Sequence, residues 1–118
     1  MLAIKPSQEE LLHWLALQLV PGLGSRRAVQ LIKCFRTPLA VFRASPSELE
    51  AAGLSGSVAR SVAGGCTFEE AAEQIEKAKA AGAEVVVWAE SRYPQRLRDI
   101  FDPPLVLFVR GRIELFNT

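Results

Sequence analysis

Apolar residues recur at helical spacing through roughly the first 80 positions, then give way to short unbroken apolar runs. Ser7 followed by Glu10 makes a capping box, so a helix is expected over residues 8–19. Its stripe is Leu11, Leu12, Leu15 and Leu19, with Trp14 a further candidate. His13 lies beside that stripe; with no partner motif near it, it reads as a surface or satisfied side chain rather than a catalyst. After a turn through Val20-Pro21-Gly22-Leu23-Gly24-Ser25, a second helix over residues 26–35 carries Ala28, Leu31 and Ile32 on its inner face. Thr37-Pro38 restarts the chain as a cap and first helical position, with Leu39 and Phe42 turned inward and Phe35 a further candidate. Ser45-Pro46-Ser47-Glu48 repeats that start signal for a short helix through position 51. Thr67 with Glu70 is a third capping box. It opens a helix through about position 80, with Phe68, Ala71, Ala72, Ile75 and Ala78 inward and Gly82 ending it.

The pattern changes beyond Gly82. Glu84-Val85-Val86-Val87-Trp88, and later the run from Leu105 to Gly111, read as strands of the kind buried on both faces in a parallel sheet. Between them Tyr93-Pro94 opens a short helix over 95–100, which Asp102-Pro103-Pro104 stops. Helix, strand, helix, strand is the opening of an α/β layer. Residues 112–118 add only Ile113, Leu115 and Phe116, and a doubly wound sheet needs several more strands. The expectation is therefore a natural chain that continues past Thr118, with pairing to a second copy as the alternative.

The first turn carries the chemistry. Gly22 and Gly24 permit backbone angles that a side chain forbids, Leu23 can plug the seam between the helices, and Ser25 is a candidate cap. The exposed amides at the start of the second helix would then make a site for an anion such as a phosphate. This is the pattern of a helix-hairpin-helix, a module that grips a nucleic-acid backbone without reading bases. The candidate DNA-binding residues are Gly22, Leu23, Gly24, Ser25, Arg26, Arg27 and Lys33. The same pattern also describes a tight αα-turn that only packs. An internal echo follows at a constant offset of 31: Gly53 matches Gly22, Leu54 matches Leu23, Ala59 matches Ala28 and Val62 matches Leu31. Ser55 replaces the second glycine, while Ser57 and Val58 replace the two arginines. Two such hairpins can pack as a five-helix unit, each covering the apolar face the other leaves open. The second copy reads as scaffold and the first as the half that binds.

Composition refines this picture. At 118 residues and 49% apolar, the chain is one domain, or a small domain plus part of another, with a sizeable core. A net charge of +1 carries no bulk signal for nucleic acid, but the distribution is uneven. Positions 22–43 hold Arg26, Arg27, Lys33, Arg36 and Arg43 and no acid. Positions 47–76 hold Glu48, Glu50, Glu69, Glu70, Glu73 and Glu76 against Arg60 alone. A basic face beside an acidic one can orient a protein on a phosphate backbone, although the acidic stretch also reads as ordinary solvated helix surface. Cys34 and Cys66 are far apart and only one His is present, which excludes the usual zinc patterns. Both cysteines are expected to be small core hydrophobes in a reduced cytoplasm. No basic-then-apolar signal follows Met1 and the apolar runs are short, so a soluble cytoplasmic protein without a membrane partner is expected. No nucleophile–base pair, metal-ligand cluster or Gly-x-x-x-x-Gly-Lys loop is present, so neither enzymatic activity nor a cofactor is expected. Asp99 and Asp102 are three apart, but helix termination accounts for them.

Three blocks then converge on a family. They are Trp14-Leu15-Ala16-Leu17 leading to Pro21-Gly22-Leu23-Gly24, Tyr93-Pro94-Gln95-Arg96-Leu97-Arg98-Asp99-Ile100, and Asp102-Pro103-Pro104 running into the strand that ends in Arg110-Gly111. Together they resemble the DNA processing protein A family (DprA, also called Smf). The resemblance implies an α+β chain: an all-α, sterile-alpha-motif-like, tandem helix-hairpin-helix domain over 1–66, then the first strands of an extended Rossmann-like α/β domain over 67–118. It implies binding and protection of incoming single-stranded DNA in the cytoplasm during natural transformation, and help in loading the RecA recombinase. The family is not known as an enzyme. Its main single-strand site uses a glycine-rich loop and basic residues that would follow the last strand here, so no residue is carried over for that pocket. The main dimer contact also belongs to the missing Rossmann core, so a homodimer is expected only with it. The helical domain is accessory in the family, adding DNA or partner contacts. The alternative is a protein-interaction domain without direct DNA contact.

Overall fold

The structure, a computed structural model, describes residues 7–109. In chain order these form α1 (Gln8–Gln18), α2 (Ser25–Phe35), α3 (Pro38–Arg43), α4 (Pro46–Ala51), α5 (Gly56–Gly64), α6 (Phe68–Ala80), β1 (Glu84–Val87), α7 (Gln95–Arg98) and β2 (Val106–Val109). The fold is α+β, mostly helical, with a two-stranded antiparallel sheet. Expectations for residues 1–6, for Arg110-Gly111 and for Ile113, Leu115 and Phe116 lie outside the described residues.

The capping box at Ser7 forms as the sequence requires: the Glu10 amide donates to Ser7 Oγ at 3.2 Å and the Ser7 amide to Glu10 Oε1 at 3.3 Å. The helix it starts differs from the single stripe expected. Leu11, Trp14, Leu15, Ala16 and Leu17 are buried, whereas Leu12 and Leu19 are only half-buried. Four consecutive buried residues span all directions around a helix, so α1 has no solvent face over its last turn. It touches α2, α3, α6, β1 and β2. One buried cluster accordingly runs from Leu11 through Leu54 and Ala71 to Val106, across position 66 where a domain boundary is expected.

The internal echo becomes two packed hairpins. Leu23 and Leu54 are both buried, as are Ala28 and Ala59, Leu31 and Val62. A methyl group on Gly22 would meet Val58 Cγ2 at 3.3 Å, and one on Gly53 would meet Arg27 Nη1 at 3.8 Å. Gly22 is equivalent to Gly53 and Arg27 to Val58, so the two contacts are reciprocal, as in a two-fold pairing of like units. Thr37 caps α3 through the Ala40 amide, and Ser45 with Glu48 closes a second capping box on α4. Leu39, expected inside, is exposed: Pro38 and Val41, at i and i+3, take the buried face of α3 and leave Leu39 beside it. Phe42 is half-buried against Phe68, ring centroids 4.7 Å apart, and His13 meets Phe68 edge-on at 5.5 Å. Cys34 and Cys66 are exposed, not core residues. Cys34 sits on the outer flank of α2, away from Ala28 and Ile32, and Cys66 in the turn between α5 and α6.

Thr67 does not close the expected third box. It is the N-cap of α6 but its side chain makes no capping bond. Its hydroxyl instead donates to the Ala16 carbonyl at 2.6 Å, both groups buried. That carbonyl belongs to the last turn of α1, where oxygens lack helical partners. Satisfying a buried acceptor outweighs capping an exposed helix start. The stripe of α6 narrows to Ala71, Ile75 and Ala78, leaving Ala72 exposed.

The strands overturn the parallel, doubly buried expectation. β1 and β2 pair antiparallel, Glu84 opposite Val109 and Val87 opposite Val106, and Phe108 stands exposed. A parallel crossover needs an element that returns the chain along the strand. The four residues of α7 rise only about 6 Å, against about 13 Å for a four-residue strand. The connector folds back on itself instead. Arg98 Nη2 donates to the Trp88 and Glu90 carbonyls at 2.8 and 2.9 Å, and the Tyr93 hydroxyl to the Pro104 carbonyl at 2.7 Å. Buried Glu90 accepts from the Val87 amide at 2.7 Å and from Arg92 at 2.8 and 2.9 Å, so its charge is paired.

Two outcomes follow for stability. Thr67→Val keeps the shape but orphans the Ala16 carbonyl; chemical denaturation should show a loss of about 1–3 kcal/mol, largely restored by Thr67→Ser. Burial pushes the Tyr93 phenol up to about 12 from its ordinary value of 10.0, with Arg98 opposing in part. Between these values the unfolded chain gives up the proton first, so stability should fall as pH rises from 10.0 towards 12, by up to roughly 1.4 kcal/mol per unit. Tyr93→Phe should remove that slope in denaturation curves taken across the window.

Candidate nucleic-acid interface

The turn between α1 and α2 is built on two left-handed glycines, Gly22 at φ +81° and Gly24 at φ +77°. Gly24, with ψ 150°, occupies a region open essentially to glycine alone, and it is the residue that caps α2. Ser25 is therefore not the cap expected from the sequence but the first residue of the helix, and no capping side chain comes from the turn itself. Leu23 is buried beneath the loop, as its place between two glycines suggests. The first turn of α2 has no acidic residue.

A carboxylate fills the vacant cap from far along the chain. The Arg26 amide donates to Asp102 Oδ1 at 2.7 Å, a contact between residues 76 positions apart. Arg26 is the second helical residue, where a capping oxygen is normally received. Its guanidinium lies over the Phe101 ring, 4.2 Å from the centroid, although Phe101 is 74% exposed. Arg27 turns the other way: its Nη1 donates to the Gly53 carbonyl of the second hairpin. A cleft of about 380 Å³ separates the two hairpins there, lined by Gly22, Arg27, Gly53, Leu54, Ser55 and Val58.

Of the candidate residues, the fold brings together Gly22, Gly24, Ser25, Arg26 and Arg27, with Leu23 beneath them. Lys33 is exposed near the other end of α2, about 12 Å from the helix start at 1.5 Å per residue. It does not join the cluster. The sequence reading missed Phe101 and Asp102, whose local pattern signals only a helix stop. Nothing in the neighbouring residues could have placed them against a turn near position 24.

The arrangement holds one anionic oxygen at the start of α2, that of Asp102, where the helix dipole and the Arg26 amide favour negative charge. The two arginines there are engaged by the Phe101 ring and by the Gly53 carbonyl. Among the described residues no group of three or more His, Cys, Asp or Glu side chains is placed to hold a metal ion, and no helix is long and apolar enough to cross a membrane. Fold and site together define a small α+β protein of paired helical hairpins with an anion-accepting helix start. No protein-family model matches the chain, and no curated protein matches it.

If Asp102 caps α2, Asp102→Ala should lower stability by about 1 kcal/mol and Asp102→Asn by less, measured by urea denaturation. Equal stability of all three proteins would contradict a capping role.

Proposed function

We propose that this chain handles DNA, with the start of α2 gripping the phosphate backbone of single-stranded DNA without reading its sequence. One observation carries the reading: the Arg26 amide already donates to an anionic oxygen at 2.7 Å, at a helix start reached through two glycines of positive φ. Backbone amides and arginines position a strand but do not specify bases. On this reading α1 to α5 form a sterile-alpha-motif-like pair of helix-hairpin-helix units, and the segment from residue 67 onward opens a Rossmann-like layer. The resemblance to the DNA processing protein A family supports the wider role: protection of incoming single strands in the cytoplasm and delivery to the RecA recombinase. The chain acts there as a binding module, not as an enzyme. A second reading, docking of a protein partner, draws on the exposed acids Glu69, Glu70, Glu73 and Glu76 of α6. Charge reversal on α6 that abolishes partner capture and spares DNA affinity would favour it.

The test is a titration of labelled oligothymidylate. Affinity should be weak, around 10⁻⁴ to 10⁻⁶ M, and log K should fall by roughly 0.7 per log unit of salt for each phosphate neutralised. Arg26→Glu/Arg27→Glu should reduce affinity about tenfold or more and flatten the salt slope. Lys33→Glu, with a like change in charge per site but lying away from the turn, should do much less. Indistinguishable, salt-insensitive curves for all three proteins would end the proposal.

A further inference from the structure

We infer that Asp102 is a built-in competitor of phosphate at the start of α2, so that the free protein holds its DNA site closed. The inference rests on the DNA reading above and concerns how that same site is regulated. The Asp102 carboxylate puts a negatively charged oxygen 2.7 Å from the Arg26 amide, the position and charge a backbone phosphate would need. The turn supplies no capping side chain and the first turn of α2 supplies no acid; among the described residues this carboxylate fills the cap. The neighbouring residue engages the other half of Arg26: its guanidinium lies 4.2 Å from the Phe101 ring centroid. Phe101, 74% exposed, contributes little to any core, so what its ring chiefly does in the free protein is hold that arginine. Both groups by which Arg26 would meet DNA are thus engaged by residues 101 and 102 of one exposed loop.

Asp102 and phosphate cannot share one amide. Apparent affinity is then the intrinsic affinity scaled by the fraction of molecules with the loop displaced. A purely structural cap makes the opposite prediction for affinity, because losing it frays the helix start that DNA would use.

The experiment titrates oligothymidylate at fixed low salt against the wild type, Asp102→Asn, Asp102→Ala and Asp102→Ala/Arg26→Glu, with Asp99→Ala as a charge control. Asp99 is exposed at the end of α7, where its carboxylate accepts from Gln95. Asp102→Ala should bind roughly two- to fivefold more tightly, a range set by the strength of charge–dipole contacts at exposed helix ends. Asp102→Asn, which keeps the acceptor and loses the charge, should fall between. The gain should vanish in the double variant. Unchanged or weaker binding by Asp102→Ala, beside a wild type whose binding depends on Arg26, would overturn the competitor role and leave the DNA reading standing. An equal gain in Asp99→Ala would overturn it as a general charge effect. No binding by the wild type or by Asp102→Ala would remove the DNA reading and this inference together.

Discussion

The bond from the Val106 amide to Gln18 Oε1, 2.9 Å long, decides where the rest of the site falls. It pins the first residue of β2 to the last residue of α1. The residues just before β2 are thereby delivered beside the residues just after α1. Together with the Tyr93 hydroxyl on the Pro104 carbonyl, it brings Phe101 and Asp102 within reach of Arg26. The anchor is firm because α1 is enclosed through Trp14, Leu15, Ala16 and Leu17, each at most 3% exposed. A helical segment without a solvent face must be walled by several layers of the fold at once. Thr67 serves the same end from another direction, by satisfying the Ala16 carbonyl.

This arrangement explains which features could be read from the chain and which could not. Capping boxes at Ser7 and Ser45, the Thr37-Pro38 start and the positive-φ Gly82 that follows α6 are local, each settled within four residues. The paired hairpins were visible because the echo repeats a whole unit, so like positions had to be buried alike. Thr67 and Ser25 carry the same cap letters, yet neither side chain makes a capping bond. A buried carbonyl claimed the first, and a glycine backbone open to few residues took the place of the second. Strand direction was misread because a β-branched run signals burial, not partner orientation; the connector with its four-residue α7 settled that. Asp102 was legible only as a stop signal, since its partner lies 76 residues away.

The site is economical in its chemistry. One amide, one guanidinium and two glycines make a place for an anion, and the chain's own carboxylate demonstrates the fit. Arg27, bonded to the Gly53 carbonyl, couples this place to the second hairpin, which thereby orients a basic side chain of the first.

The most direct test of this account is amide NMR of the free protein during addition of oligothymidylate. Resonances of residues 22–27 should move first, together with those of Phe101 and Asp102 as the loop is displaced, while the outer face of α6 stays unchanged. Shifts confined to other surfaces, with the Arg26 amide unmoved at saturation, would contradict it.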